Sequence, residues 1–185
     1  MPTDAIGDIA ADPTGSTLVV THPGVSAVSI LDADNQCAAS LIPLRDVALS
    51  PDGATAYLLA HHPRGAAAVI RIDAAGAAIG AVVEVGESAT QLAVSPDGAR
   101  VYVVESCGVA VICALTGAVL DRITVGEWPS CVAAGLATGR LYVADYAGVL
   151  IGVPAATPVP ATPPLREALP ALGGYPVLQL QSAAV

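Results

Sequence analysis

Two histidines and two carboxylates stand at matching places along the chain, and their chemistry poses the first question. His22 and His61 close the stretches DIAADPTGSTLVVTH (8–22) and DVALSPDGATAYLLAH (46–61), while Glu105 closes QLAVSPDGARVYVVE (91–105) and Asp145 closes VAAGLATGRLYVAD (132–145). Imidazole nitrogens and carboxylate oxygens are a donor set that holds zinc or a similar divalent ion. A ring of His22, His61, Glu105 and Asp145 would therefore make a metal site, or the acid and base groups of a hydrolase. No HxxxH helix or other tight ligand spacing supports it, and polar strand ends in water explain the same residues. No cofactor is expected, with a divalent metal as the one candidate.

Asp8, Asp46 and Gln91 open the first three of those stretches. Gathered at a channel mouth, such groups would attract a cation or raise one another's pKa; hydrogen bonds to neighbouring backbone account for them equally. Trp128, the single tryptophan, precedes Pro129 and suits an interface contact or a link packed over the core. Cys37, Cys107, Cys113 and Cys131 form neither a CxxC pair nor a zinc spacing, so small buried or half-buried thiols are expected, although Cys107 and Cys131 could pair in an oxidising compartment. A GxSxG elbow, a Walker loop and a GxGxxG after a strand are all missing, so no catalytic residue is assigned.

A repeat positions these residues. The turn glycines Gly15, Gly53, Gly98 and Gly139 mark four similar units. In each, a short apolar run meets Pro-Asp-Gly or a relative and then a β-branched or aromatic run, which predicts a hairpin. Third strands are expected at 27–31, 68–72 and 109–112, and fourth strands at 38–44, 78–85 and 118–125. Ala10, Ala48, Ala93 and Ala134 take equivalent places in the first strands, where small residues suit crowding. A four-stranded meander has two apolar faces and must stack on its neighbours. At this period such sheets stack radially, as the blades of an all-β propeller with first strands nearest the axis.

SPDG followed by YLLA or YVVE, then Val28-Ser29-Ile30-Leu31-Asp32, then Val83-Glu84-Val85-Gly86 or Ile123-Thr124-Val125-Gly126, resembles the YVTN-type β-propeller repeat over about Asp8 to Val153. The resemblance implies a fold more than a function, because such propellers include surface proteins, lactonase-like enzymes, electron-transfer subunits and binding scaffolds. Members commonly carry seven blades, whereas four repeats fit here. They are expected at about 4–44, 45–86, 87–126 and 127–153. A Pro-rich linker or strap follows at 154–175, and a closing strand and tail at 176–185, with the apolar run Pro176–Gln181 as the outer strand that the fourth unit lacks. A closed four-blade ring, two chains sharing eight blades and a piece of a longer propeller all remain open.

Propellers usually bind around the rim formed by loops between second and third strands and by links between blades. That rim is expected to hold His22, His61, His62, Arg64, Glu105, Trp128, Asp145 and Tyr146. All seven basic residues are Arg, and a net charge of −9 with no basic cluster argues against nucleic acid. No apolar run nears the ~20 residues of a membrane span, and residues 1–10 lack the pattern of a secretory signal. As written, the chain reads as cytoplasmic, or extracytoplasmic if trimmed. The leading expectation is a non-enzymatic interaction or scaffold module whose partner is another protein or a second copy of itself. Its rival is a lactonase-like hydrolase or metal-binding propeller.

Overall fold

A computed structural model describes residues 6–22, 24, 27–31, 37–39, 44–61, 67–73, 79–126, 128–135, 139–146, 150–154 and 179–181. Among them all regular structure is β-strand. The first sheet holds β1 (Ile9–Ala11), β2 (Leu18–His22), β3 (Ala27–Leu31) and β4 (Cys37–Ala39). Next come β5 (Leu44–Leu49), β6 (Thr55–His61), β7 (Ala67–Asp73) and β8 (Ile79–Val85), then β9 (Gln91–Val94), β10 (Arg100–Glu105), β11 (Gly108–Cys113) and β12 (Val119–Thr124). The fourth sheet has β13 (Pro129–Ala134), β14 (Arg140–Asp145) and β15 (Leu150–Pro154), and β16 is Gln179–Gln181. Within every sheet, successive strands pair antiparallel in simple meander order. Leu44, expected to end a fourth strand, instead begins β5.

The closing strand goes elsewhere than expected. Gln179, Leu180 and Gln181 pair with Ala39, Ala38 and Cys37 on the outer edge of the first sheet, not the fourth. An unpaired strand edge accepts any extended segment whose backbone reaches it, and side-chain pattern alone does not say which edge that will be.

Among the described residues three seams hold the sheets together, and each is a separate apolar core. Val19, Val28 and Ile30 meet Val47, Leu58 and Ile70 between the first two sheets. Tyr57, Leu59 and Val69 meet Leu92, Val101 and Ile112 between the second and third. Tyr102, Val104 and Val111 meet Val132, Leu141 and Val143 between the third and fourth. Period-two alternation produces this arrangement, since it sends neighbouring residues of one strand to opposite faces, each covered by a different sheet. Inner strands β1, β5, β9 and β13 touch in sequence, as radial stacking requires.

The hairpin turns nest as the sheets stack. Ser50 donates its hydroxyl to Asp52 at 2.5 Å and accepts the Thr55 N–H at 2.9 Å, while Asp52 also takes the Ala54 N–H. Ser95, Asp97, Ala99 and Arg100 repeat the pattern. The first sheet exchanges the roles: Asp12 sits where the serine does and receives the hydroxyls of Thr14 and Ser16 and the Thr17 N–H. These bonds, the Thr14 hydroxyl first, draw the Asp12 carboxyl down to about 2.

Gly53 has φ +71°, and a Cβ there would lie 3.0 Å from the Asp12 Cβ; Gly98 has φ +69° with Pro51 3.4 Å away. Both prefer glycine for their left-handed backbone, but only Gly53 also lacks room. Gly98→Ala is expected to cost about 1–2 kcal/mol, and Gly53→Ala more, in urea unfolding followed by circular dichroism. Equal losses would mean that the turns do not nest as described.

Candidate interaction rim and axial row

At or near the start of three inner strands, β1, β5 and β9, a side chain reaches across the seam to the next sheet. Asp8 accepts the Val47 N–H at 3.3 Å, Asp46 accepts the Leu92 N–H at 2.5 Å, and Gln91 accepts the Val132 N–H at 2.9 Å. The three therefore act as staples, each tying its own blade to the backbone of the following one. Burial, together with a hydrogen bond to the Asp8 side chain, pushes the Asp46 carboxyl up to about 8. Asp46 so keeps its proton at neutral pH and can donate it toward Asp8 while still accepting from Leu92.

The fourth member of this row is Cys131. Glycine spacing aligns Val132 with Gln91, but Tyr102 pairs with Ala93 and Tyr142 with Ala133, which sets Cys131 opposite Ala144 as Gln91 is set opposite Val104. The fourth turn is one residue out of step, because its bond from the Gly135 N–H to the Arg140 carbonyl matches the one from Ser95 to Arg100, while Gly139 comes one place later than Gly98. Ala133, not Ala134, is thus the counterpart of Ala10, Ala48 and Ala93.

The strand ends on the opposite rim are taken up by local bonds. His22 Nε2 lies 2.9 Å from the Ser29 hydroxyl, and His61 Nε2 lies 2.8 Å from the Ala89 carbonyl. Glu105 accepts the Gly86 N–H at 2.8 Å and forms an ion pair with Arg122. Among the described residues no three His, Cys, Asp or Glu side chains converge in a way that could hold a metal ion. The expected ring of His22, His61, Glu105 and Asp145 is therefore not assembled. Each of the first three instead bonds within its own sheet or to the link beside it. His62 and Arg64 lie outside the described residues.

Two aromatic side chains of this rim are strongly exposed. Trp128 is 70% exposed and Tyr146 79%. They flank the same end of the β13–β14 pair, where Pro129 faces Asp145, and the Tyr146 N–H donates to the Trp128 carbonyl at 3.3 Å. Trp128 holds φ +64°, the one left-handed non-glycine among the described residues. That conformation is rare for a bulky side chain, and here it accompanies a ring presented to solvent. Sequence reasoning named both residues, but nothing in the sequence marks the backbone conformation.

No family model matches the chain. Over 110 residues it is 40% identical to the seven-bladed beta-propeller protein Rv1057 of Mycobacterium tuberculosis, covering 58% of this chain and 28% of that protein. The chain thus matches well under a third of its relative's length. Among solved structures, hydrazine synthase of Kuenenia stuttgartiensis is similar with a TM-score of 0.61 at 19% identity, over 83% of this chain and 50% of its own. The beta-propeller domain of Cps50 (Swd1) from Myceliophteria thermophila is similar with a TM-score of 0.60 at 11% identity, over 76% and 48%. At those identities the likeness concerns the fold alone: this is an all-β chain of propeller blades. Among the described residues no helix is long and apolar enough to cross a membrane.

Proposed function

We propose that the chain is a non-enzymatic protein-interaction module built from YVTN-type propeller repeats, with the Trp128–Tyr146 corner as its contact point. The observation that carries this reading is the exposed aromatic pair. Tyrosine and tryptophan are the residue types most enriched at energetically important contacts, because a large flat surface is buried at little conformational cost. Here the backbones of both are joined by a hydrogen bond, which lessens the backbone ordering left for a partner to impose. The chemistry-bearing side chains of the same rim already serve the fold, which leaves the hydrolase reading without a gathered set of groups. Resemblance to an enzyme such as hydrazine synthase extends only to the fold, and brings no reaction with it.

The test uses the single tryptophan as reporter. Chain immobilised and exposed to extract should retain partner protein, and the double variant Trp128→Ala, Tyr146→Ala should lose at least ten-fold of it while its circular dichroism is unchanged. Binding should also shift Trp128 emission to the blue as the indole leaves water. Undiminished capture by the double variant would remove the corner from the reading. A stoichiometric bound metal lost on replacing His22 and His61 would favour the hydrolase instead.

A further inference from the structure

The second and third sheets meet around a half-enclosed cavity of about 10 Å³, where Val69, Val83, Val101 and Ile112 surround two groups that can donate hydrogen bonds, Tyr57 and Arg71. That space is the size of one water molecule or one small ion. Tyr57 is 5% exposed, yet its hydroxyl has no hydrogen-bond partner among the described residues. The next repeat shows what such a phenol ordinarily does. Tyr102, at the same place, is hydrogen-bonded to Arg100 two residues earlier, whereas the second repeat has Thr55 there and no guanidinium. Arg71 stands opposite Tyr57 on the paired strand but turns to the third sheet, where its Nη1 donates to the carbonyls of Ala114 and Leu115 at 3.2 and 3.1 Å. Gly80 makes room for it, since a Cβ there would lie 2.6 Å from the Arg71 Nε. A phenol and a guanidinium thus border one small space without bonding each other.

We propose that this cavity binds a monatomic halide, chloride in ordinary salt, held by the Tyr57 hydroxyl and the Arg71 guanidinium between the second and third blades. A buried donor without an acceptor is costly, so the hydroxyl calls for a group that accepts. Water can satisfy the hydroxyl, but only an anion also meets the charge beside it. Among the described residues no carboxylate forms an ion pair with Arg71. The two carbonyls that hold its Nη1 supply dipoles and leave the charge uncompensated, and the aliphatic walls strengthen its pull. Asp52, the carboxylate that acts on Tyr57 from a distance, is taken up in its own turn by Ser50 and Ala54. Burial pushes the Tyr57 phenol up, so it stays protonated and donates at neutral pH. Size excludes sulfate, phosphate and organic acids. A halide here would tie the two blades together at a second place, away from the Asp46 staple on the inner strands and from the aromatic corner.

The test titrates chloride against the whole chain at constant ionic strength, with gluconate, too large for the space, as the balancing anion. The melting midpoint should rise by about 2–4 °C once chloride reaches roughly five times its dissociation constant. The chlorine NMR signal should broaden in proportion to the protein added and narrow again as bromide competes. Tyr57→Phe keeps the ring and its packing and removes only the hydroxyl. It should retain the wild-type circular dichroism while chloride binding weakens about ten-fold or more. Arg71→Gln should lose the chloride response as well. Trp128→Ala, Tyr146→Ala should leave it unchanged, which keeps this site separate from the proposed contact corner. A midpoint and a chlorine signal indifferent to the protein, as expected of a space that takes only water, overturn the proposal. So does a chloride response of equal size in wild type and Tyr57→Phe, which would place the ion elsewhere.

Discussion

Tyr102→Ala is expected to destabilise the chain by about 3–5 kcal/mol, while Tyr142→Ala, the same change at the same place of the next repeat, should cost about 1 kcal/mol. Both tyrosines stand opposite an inner-strand alanine, so strand pairing and local propensity are matched. Burial differs. Tyr102 is wholly enclosed in the seam formed with Val132, Leu141 and Val143, and desolvation there pushes its phenol up despite the opposing Arg100 guanidinium. Removing the ring leaves a void between two sheets that already meet through small side chains, and small residues cannot collapse to fill it. Tyr142 is only half-buried. Urea unfolding followed by circular dichroism measures both. A loss at Tyr142 as large as that at Tyr102 would mean that the fourth blade's following face is covered as fully as the seam around Tyr102.

The period of the repeat was legible because three chemical marks recur together: Pro-Asp-Gly for the turn, alanine at the crowded inner position, and an alternating apolar run after it. Those marks predict the strands of the second and third sheets to within a residue or two. They fail in the fourth unit, where Gly139 anchors an alignment that the hydrogen bonds place one residue away, and that slip hid Cys131 as the last member of the axial row. The roles of Asp8, Asp46 and Gln91 were half legible. Their equivalence could be read, but a carboxylate that gathers cations and one that caps a neighbouring N–H have the same letter, and only the 2.5 Å bond to Leu92 separates them. The His22, His61, Glu105 and Asp145 ring failed for a related reason: equivalence along the chain places residues on one rim without bringing them within coordination distance. Where Gln179–Gln181 pairs is decided by reach, which no local pattern encodes.

Stability should fall as pH rises from about 5 to 8, and Asp46 is the expected cause. Its carboxyl titrates at about 8 in the folded chain against an ordinary value of 3.8, raised first by burial and then by the hydrogen bond to Asp8. Between those values the folded chain binds the proton and the unfolded chain does not, so this contribution is complete below the ordinary value and lost as pH rises through about 8. The slope is at most ~1.4 kcal/mol per pH unit. The turn carboxylates work in the opposite sense. Asp12, Asp52 and Asp97 are all lowered by serine, threonine and backbone donors, so their contribution is present above the ordinary carboxylate range and lost on acidification through their lowered values. They shape the acid limb, below the window in which Asp46 acts. Asp46→Asn should flatten that window and melt higher than the wild type at pH 9, because an amide can still donate toward Asp8 and accept from Leu92 without a charge to bury. Asp46→Ala should instead lose about 1–3 kcal/mol at low pH, since the Leu92 N–H is left buried without an acceptor. Thermal melts of the three proteins from pH 5 to 9 decide it, and parallel curves for wild type and Asp46→Asn would show that the seam between the first two blades holds no proton.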